Sequence, residues 1–183
     1  MSTRVLNSYL LSSQKYSEYA EIASEWHQDA VDRIRYLSDD PESSLHQKLH
    51  DCKELCSLIS KNLQSMQPTR EAMVCLDPLK RCQGMMIVDK DPSFLEIAYF
   101  TTNPQNIGAS VEAVRGAGTV LTMDLFEKAA HANKDVHVFS SKSALEFYQK
   151  RGFTFDGLGD GMITNQRIQE LYPQFLRLTK RSK

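Results

Sequence analysis

The sequence predicts a single α/β domain of the α+β type: helices first, then a mixed, mostly antiparallel sheet with helices on its flanks. Three observations carry this. All eight glycines stand at or after Gly84, which leaves the first part of the chain to helices joined by ordinary turns. Apolar residues there recur at three- and four-residue steps, the period of a helix with one buried face. From Glu71 onward the pattern changes to short apolar runs separated by Asp-Pro and glycine-containing segments, the punctuation of strands.

The first helix is expected from about Ser13 to Leu37, with Tyr16, Tyr19, Ala23, Trp26, Ala30, Ile34 and Leu37 on one face. The stretch SDDPESS breaks it. A second helix follows to about residue 65, with Leu45, Leu49, Cys52, Cys56, Ile59 and Leu63 on its apolar side. The aromatic stripe and the lone Trp26 read as core. Strands are expected over EAMVCL, GMMIV and FLEIAYF. In the last, period-two alternation puts Leu95, Ile97 and Tyr99 on one face and Phe94, Glu96, Ala98 and Phe100 on the other. Glu96 is then a carboxylate among apolar neighbours. A polar loop, TTNPQNIGASVEA, leads to a glycine turn and a helix ending near His131. VHVFS reads as a strand, SALEFYQKRG as a helix, FTF as a strand and QFLRLTK as a closing strand. The glycine cluster DGLGDGM precedes no clear helix and reads as a mobile loop. No repeat or linker divides the chain, so residues 1–183 form one domain, with helices within about 13–65 and strands within about 71–180.

Composition narrows the function. With 41% hydrophobic and 25% charged residues the chain is an ordinary globular protein. Its net charge of −1 supplies no basic field for nucleic acid or an anionic membrane. No apolar run approaches the roughly 20 residues of a membrane span, and the first residues are too polar for a secretory signal. A reducing cytoplasm is the expected compartment. The cysteines at 52, 56, 75 and 82 contain no CxxC pair, so neither a zinc site nor a disulfide framework is expected. His46 and His50 have metal-binding spacing but no obvious third ligand, and no metal is expected. The basic tail from Arg177 to Lys183 reads as a solvated end.

The chemistry begins at VRGAGTVLTMDLFEKAAH. A helix N-terminus offers several unpaired N–H groups and about half a positive charge, so small residues that let a pyrophosphate approach make an anion site. Val114, Arg115, Gly116, Ala117, Gly118 and Thr119 fit that description, with Arg115 adding a full charge. A dinucleotide-binding turn would need a third glycine where Leu121 stands, and a P-loop would need a lysine that does not follow.

The segment AVRGAGTVLTMDLFEKA resembles the acyl-CoA signature Q/R-x-x-G-x-G/A of the GNAT acetyltransferase superfamily. SSKSALEFYQKRGF is similar to that superfamily's second signature, N-x-x-A-x-x-F/L-Y-x-x-x-G-F, and the two come in the family's order and at its usual separation. The resemblance covers roughly Glu71 to Lys180. It implies a partly splayed, acyl-CoA N-acyltransferase-like sheet that binds acetyl-CoA as cosubstrate. There are two departures: the signature's leading Gln/Arg is Ala113, and the second signature's Asn is Ser141, which can still bond a pantetheine arm but reaches less far. Ser143-Ala-Leu-Glu146 is also a capping-box pattern, so these serines could simply start a helix.

Acetyl transfer to an amine requires the free base, which a lysine-like amine of pKa about 10.4 supplies only about once in 10³ molecules at neutral pH. The resemblance implies Glu96 as the general base, with an apolar surround raising its pKa, and Tyr148 as donor to the departing thiolate. The alternatives are a Glu96 that reaches solvent or pairs with an arginine, and a Tyr148 that only fills space. Asp156 and Asp160 would border the acceptor entrance and attract a cationic amine. The expected partner is an amine acceptor, small molecule or protein, and a homodimer is compatible with the chain. The rivals are acetylation of protein lysines or N-termini by the same fold, and a non-catalytic acyl-CoA-binding domain.

Overall fold

The computed structural model describes residues 6–37, 43–108 and 114–175. Most of SDDPESS, Ala113 and the basic tail lie outside the described residues. A short edge strand, β1 (Asn7–Leu10), precedes two 21-residue helices, α1 (Tyr16–Tyr36) and α2 (Ser44–Gln64). Strands β2 (Arg70–Leu76), β3 (Cys82–Lys90) and β4 (Phe94–Thr102) form a meander. Helix α3 (Ala117–Ala132), strand β5 (Asp135–Phe139), helix α4 (Leu145–Gln149), the hairpin β6 (Thr154–Phe155) and β7 (Asp160–Ile163), and helix α5 (Asn165–Leu171) follow.

Helices α1 and α2 pack closely because the facing side chains are small: Ala20, Ala23, Ala30 and Cys56 are almost wholly buried. Ser60 ties them, donating to the Ala20 carbonyl at 2.9 Å and lying 2.8 Å from the Ser24 hydroxyl. Ser43 starts α2 by accepting the His46 amide at 3.2 Å, which covers one of the donors that a helix start leaves unpaired.

Among the described residues seven strands run in the order β1-β2-β3-β4-β5-β7-β6, and β4–β5 is the one parallel pair. Helices cover both faces of the central strands. Ala72, Val74, Met85 and Ile87 join the core under α1 and α2, while Met73, Cys75, Met86 and Val88 join the core that includes α3. A strand buried on both sides has no polar alternation, which is why GMMIV reads as a continuous apolar run.

Three expectations need correction. The closing strand expected over QFLRLTK lies mostly outside the described residues; its two described residues, Gln174 and Phe175, are helical. The glycine cluster, expected as a loop, holds a strand, β7, which pairs with β5 and β6. There Gly161 serves close packing rather than mobility, since a Cβ on it would come within 2.3 Å of the Phe155 ring. The hairpin turn is also ordered, with Asp156 Oδ1 accepting the amides of Leu158 (2.9 Å) and Asp160 (3.0 Å). Helix α5 went unexpected although Thr164 caps it by accepting the Arg167 amide. Third, the alternation of β4 breaks. Ile87 pairs with Tyr99 and Val88 with Ile97, so Ala98 is an extra residue, a bulge. Leu95, Ile97 and Phe100 consequently face α3, while Tyr99 faces α1 and α2; Phe100 does not share the Glu96 face.

The β2–β3 turn is organised by a buried carboxylate. Asp77 accepts the amides of Leu79 (2.9 Å) and Arg81 (3.0 Å), the Arg81 Nε (2.8 Å) and the Gln83 amide group (3.2 Å). Burial pushes its carboxyl up, but the bonds from Arg81 and Leu79 together outweigh this and hold it below the usual carboxylate value. A depressed folded value means stability that is present above the unfolded value of about 3.9 and lost as pH falls through the folded one. Asp77→Ala should therefore lower unfolding free energy at pH 7 by about 1–3 kcal/mol and flatten the acid-side decline. Denaturant titrations of both proteins at pH 7 and pH 3 check this.

Candidate active site

The parallel ladder between β4 and β5 is short. It pairs Phe94, Leu95, Glu96 and Ile97 with Asp135, Val136, His137 and Val138, and then stops, although β4 continues to Thr102. Among the described residues the β4 edge on this side has no strand partner from Ala98 onward. Unpaired N–H and C=O groups along an edge can bond an extended, amide-bearing ligand.

At the head of this gap stands the start of α3. Gly116, its N-cap, is left-handed at φ +100°, a conformation that favours glycine. No side chain caps the helix, and its first i→i−4 bond runs from the Val120 amide to the Gly116 carbonyl at 3.0 Å. The amides of Ala117, Gly118 and Thr119 therefore have no capping side chain, the condition under which a helix start receives an anion. Val114 differs. Its amide already donates to Asn106 Oδ1 at 2.7 Å, so the amides left for a ligand begin at Arg115, whose side chain is exposed.

The two glycines do different jobs. A Cβ at Gly116 would meet only Leu6, 3.7 Å away, so its requirement is conformational. A Cβ at Gly118 would lie 2.9 Å from Phe100 Cζ and 3.2 Å from Phe147 Cε2, so Gly118 is there to let the helix close on those rings.

A residue that motif reading missed adds charge here. Arg151 lies with its guanidinium 3.5 Å from the centre of the Phe147 ring, donates to the Phe147 carbonyl at 2.6 Å, and bonds the Thr119 hydroxyl. It ties α4 to the first turn of α3 and adds a cation there. Burial holds its basicity below the ordinary arginine value. Nothing in the sequence marked it, because contact with Thr119 spans 32 residues of chain.

Tyr148 is 4% exposed, in the core on the α3 side, edge-on to Phe147 and Phe153 with centroids 5.1 and 5.3 Å apart. Burial pushes its phenol well up, opposed in part by Arg151. Such a hydroxyl stays protonated and available as a donor. Among the described residues it has no hydrogen-bond partner. Ser141 is exposed, 3.2 Å from the Ser143 hydroxyl. The capping box does not form: α4 begins with Ala144 as an uncapped N-cap, Ser143 donates instead to Asp51 of α2, and Glu146 pairs with Lys150 at 2.6 Å.

Glu96 lies on the opposite face from Leu95 and Ile97. It lines a concavity of about 630 Å³ with Phe94, His137, Phe139, Asp156 and Asp160. Among the described residues it forms no ion pair. Helices α1 and α2 cover β2 to β4 but not this end of the sheet, and Phe139 is 68% exposed. The site thus has two sides. The α3 start, Arg151 and Tyr148 lie on one, Glu96 and the acidic hairpin on the other, and the split between β4 and β5 joins them. Among the described residues no three His, Cys, Asp or Glu side chains are grouped to hold a metal, and no helix is long and apolar enough to cross a membrane.

Gly118→Ala separates packing from binding. Crowding Phe100 and Phe147 should cost about 1–3 kcal/mol of stability. Thermal melting without ligand measures it, and an unchanged melting temperature would contradict the close approach.

No protein-family model and no curated protein sequence matches the chain. Solved structures do. A protein from Exiguobacterium sp. 255-15 named as an acetyltransferase superposes with a TM-score of 0.58 at 12% identity, over 92% of this chain and 99% of that one. GCN5 from Tetrahymena gives 0.52 at 14% identity, over 89% and 97%. Mutant forms of the spermidine/spermine N-acetyltransferase SpeG from Vibrio cholerae give 0.53 at 10% identity, over 92% and 99%. The fold of this chain is the one these acetyltransferases share.

Proposed function

We propose, taking as premise the fold shared with the GNAT acetyltransferases, that this chain transfers the acetyl group of acetyl-CoA to a primary amine. The observation that carries the reading is the split between β4 and β5, with an uncapped helix start at its head and a carboxylate at its floor. The residues suit the cosubstrate. The amides of residues 115–119, Arg115 and Arg151 would hold the phosphates, the free β4 edge would pair with the amides of the pantetheine arm, and Ser141 would add a hydroxyl to bond that arm. Acetyl-CoA brings an activated thioester; everything else is the work of this chain.

Glu96 takes a proton from the acceptor, directly or through water, so that the free amine can attack. Tyr148 donates to the departing thiolate. Because its phenol is less acidic than a thiol of pKa about 8.5–9, full proton transfer is uphill, and hydrogen-bond donation is the larger part of its role. Asp156 and Asp160 line the concavity of Glu96 and favour a cationic acceptor, in keeping with the polyamine acetylated by one structural neighbour. An open concavity would also admit a protein lysine. A non-catalytic acyl-CoA-binding domain remains the reading if wild type turns over no amine.

Two measurements test this. Gly116→Asp places a side chain and a negative charge in the cradle and should abolish CoA binding by calorimetry in a folded protein; unchanged affinity would move the phosphates elsewhere. Glu96→Gln should keep CoA affinity and lower kcat by about 10²-fold or more at neutral pH, with much of the loss returning as pH approaches the amine's own pKa. The thiol-release rate against pH, over a panel of polyamines, amino acids and lysine peptides, shows this; parallel curves would exclude Glu96 as the base.

A further inference from the structure

His137 stands directly across the parallel ladder from Glu96, one strand spacing of about 4.8 Å away and on the same face. Its ring stacks on Phe94, with centroids 4.5 Å apart and planes 25° from parallel. Stacking uses the face of the imidazole and leaves both nitrogens, which lie on its edge, free to bond elsewhere. Among the described residues neither nitrogen has a hydrogen-bond partner. The ring lines the same concavity as Glu96, facing Asp160 and Met162 of β7, Thr154 of β6 and Asp156 of their turn. Along its own strand Asp135 is engaged, accepting the Asn165 amide at 2.7 Å. Among the described residues no lysine or arginine lines the concavity.

The reaction leaves a proton to be removed. An ammonium gives up two protons in becoming an amide and the thiolate takes back one, so each turnover releases one. Glu96 is neutral once it has taken that proton, and cannot serve again until it has lost it. An imidazole is the side chain that accepts and releases protons near neutral pH. We propose that His137 is the proton exit of the site, receiving from Glu96, directly or through water, the proton given up by the amine and passing it to solvent. This rests on the acetyltransferase reading and acts through Glu96.

The test starts from wild type. Absence of thiol release with every amine, while CoA binds, would overturn the acetyltransferase reading and with it this proposal. Given turnover, His137→Gln should lower kcat at neutral pH about 10-fold or more while leaving the amine KM and CoA affinity near wild type. It should also change the pH dependence of kcat relative to wild type, since the proton would have to leave by another route. Free imidazole should restore part of the rate to His137→Ala. The double variant Glu96→Gln/His137→Gln should be little slower than Glu96→Gln alone, because both residues serve one path. A folded His137→Gln enzyme with kcat and its pH profile unchanged would overturn the proposal. So would a loss confined to KM, which would make His137 a binding residue, or additive losses in the double variant.

Discussion

Ala98 has no partner across the β3–β4 ladder, and the arrangement of the site follows from that one extra residue. Before it, Leu95 and Ile97 face α3 and Glu96 faces the open side; after it, Phe100 returns to α3 and closes on Gly118. With regular alternation Phe100 would turn to the Glu96 face, and the first turn of α3 would lose the ring against which it is seated. The bulge falls where pairing with β5 ends, so the same short segment sets side-chain direction and frees the β4 edge. A bulge bends and twists its strand, which fits a sheet that parts at this point.

The start of α3 shows how one motif meets two demands. Gly116 answers a backbone requirement, a left-handed turn into a helix with no side chain to cap it. Gly118 answers a packing requirement, contact with two aromatic rings. Both leave bare amides, but only the first directly concerns an anion. Arg151, held by the Phe147 ring and by Thr119, then joins α4 to the same turn, so that packing and charge at the cradle depend on each other.

Charge is sorted across the sheet. Arg115 and Arg151 lie at the helix start, where the helix dipole is also positive. Glu96, Asp156 and Asp160 lie around the concavity on the other face. In the proposed reaction an anionic cosubstrate and a cationic acceptor approach from opposite sides and meet at the split. Each field attracts its own ligand and repels the other's.

The sequence by itself determined the elements whose signals are local. Tyr19, Ala23, Trp26 and Ala30 spell a helix through a period of 3.6, and Ser43 caps the next one through neighbouring atoms. Glycines that a left-handed turn and close helix packing require stood out at 116 and 118, and Glu96 stood out as a carboxylate in an apolar strand. Tertiary structure decided what depends on pairing between distant segments. The register of β3 on β4 made Ala98 a bulge and moved Phe100 to the other face. Pairing with β5 and β6 turned Asp160–Ile163 from apparent loop into strand. Asn106 took the Val114 amide, Asp51 took the hydroxyl of Ser143, and Arg151 reached Thr119. His137 gained meaning only when β5 was laid beside Glu96. Periodicity records which side of its own element a residue occupies; it carries no information about which residue of another element will face it, because that is set by how the layers dock.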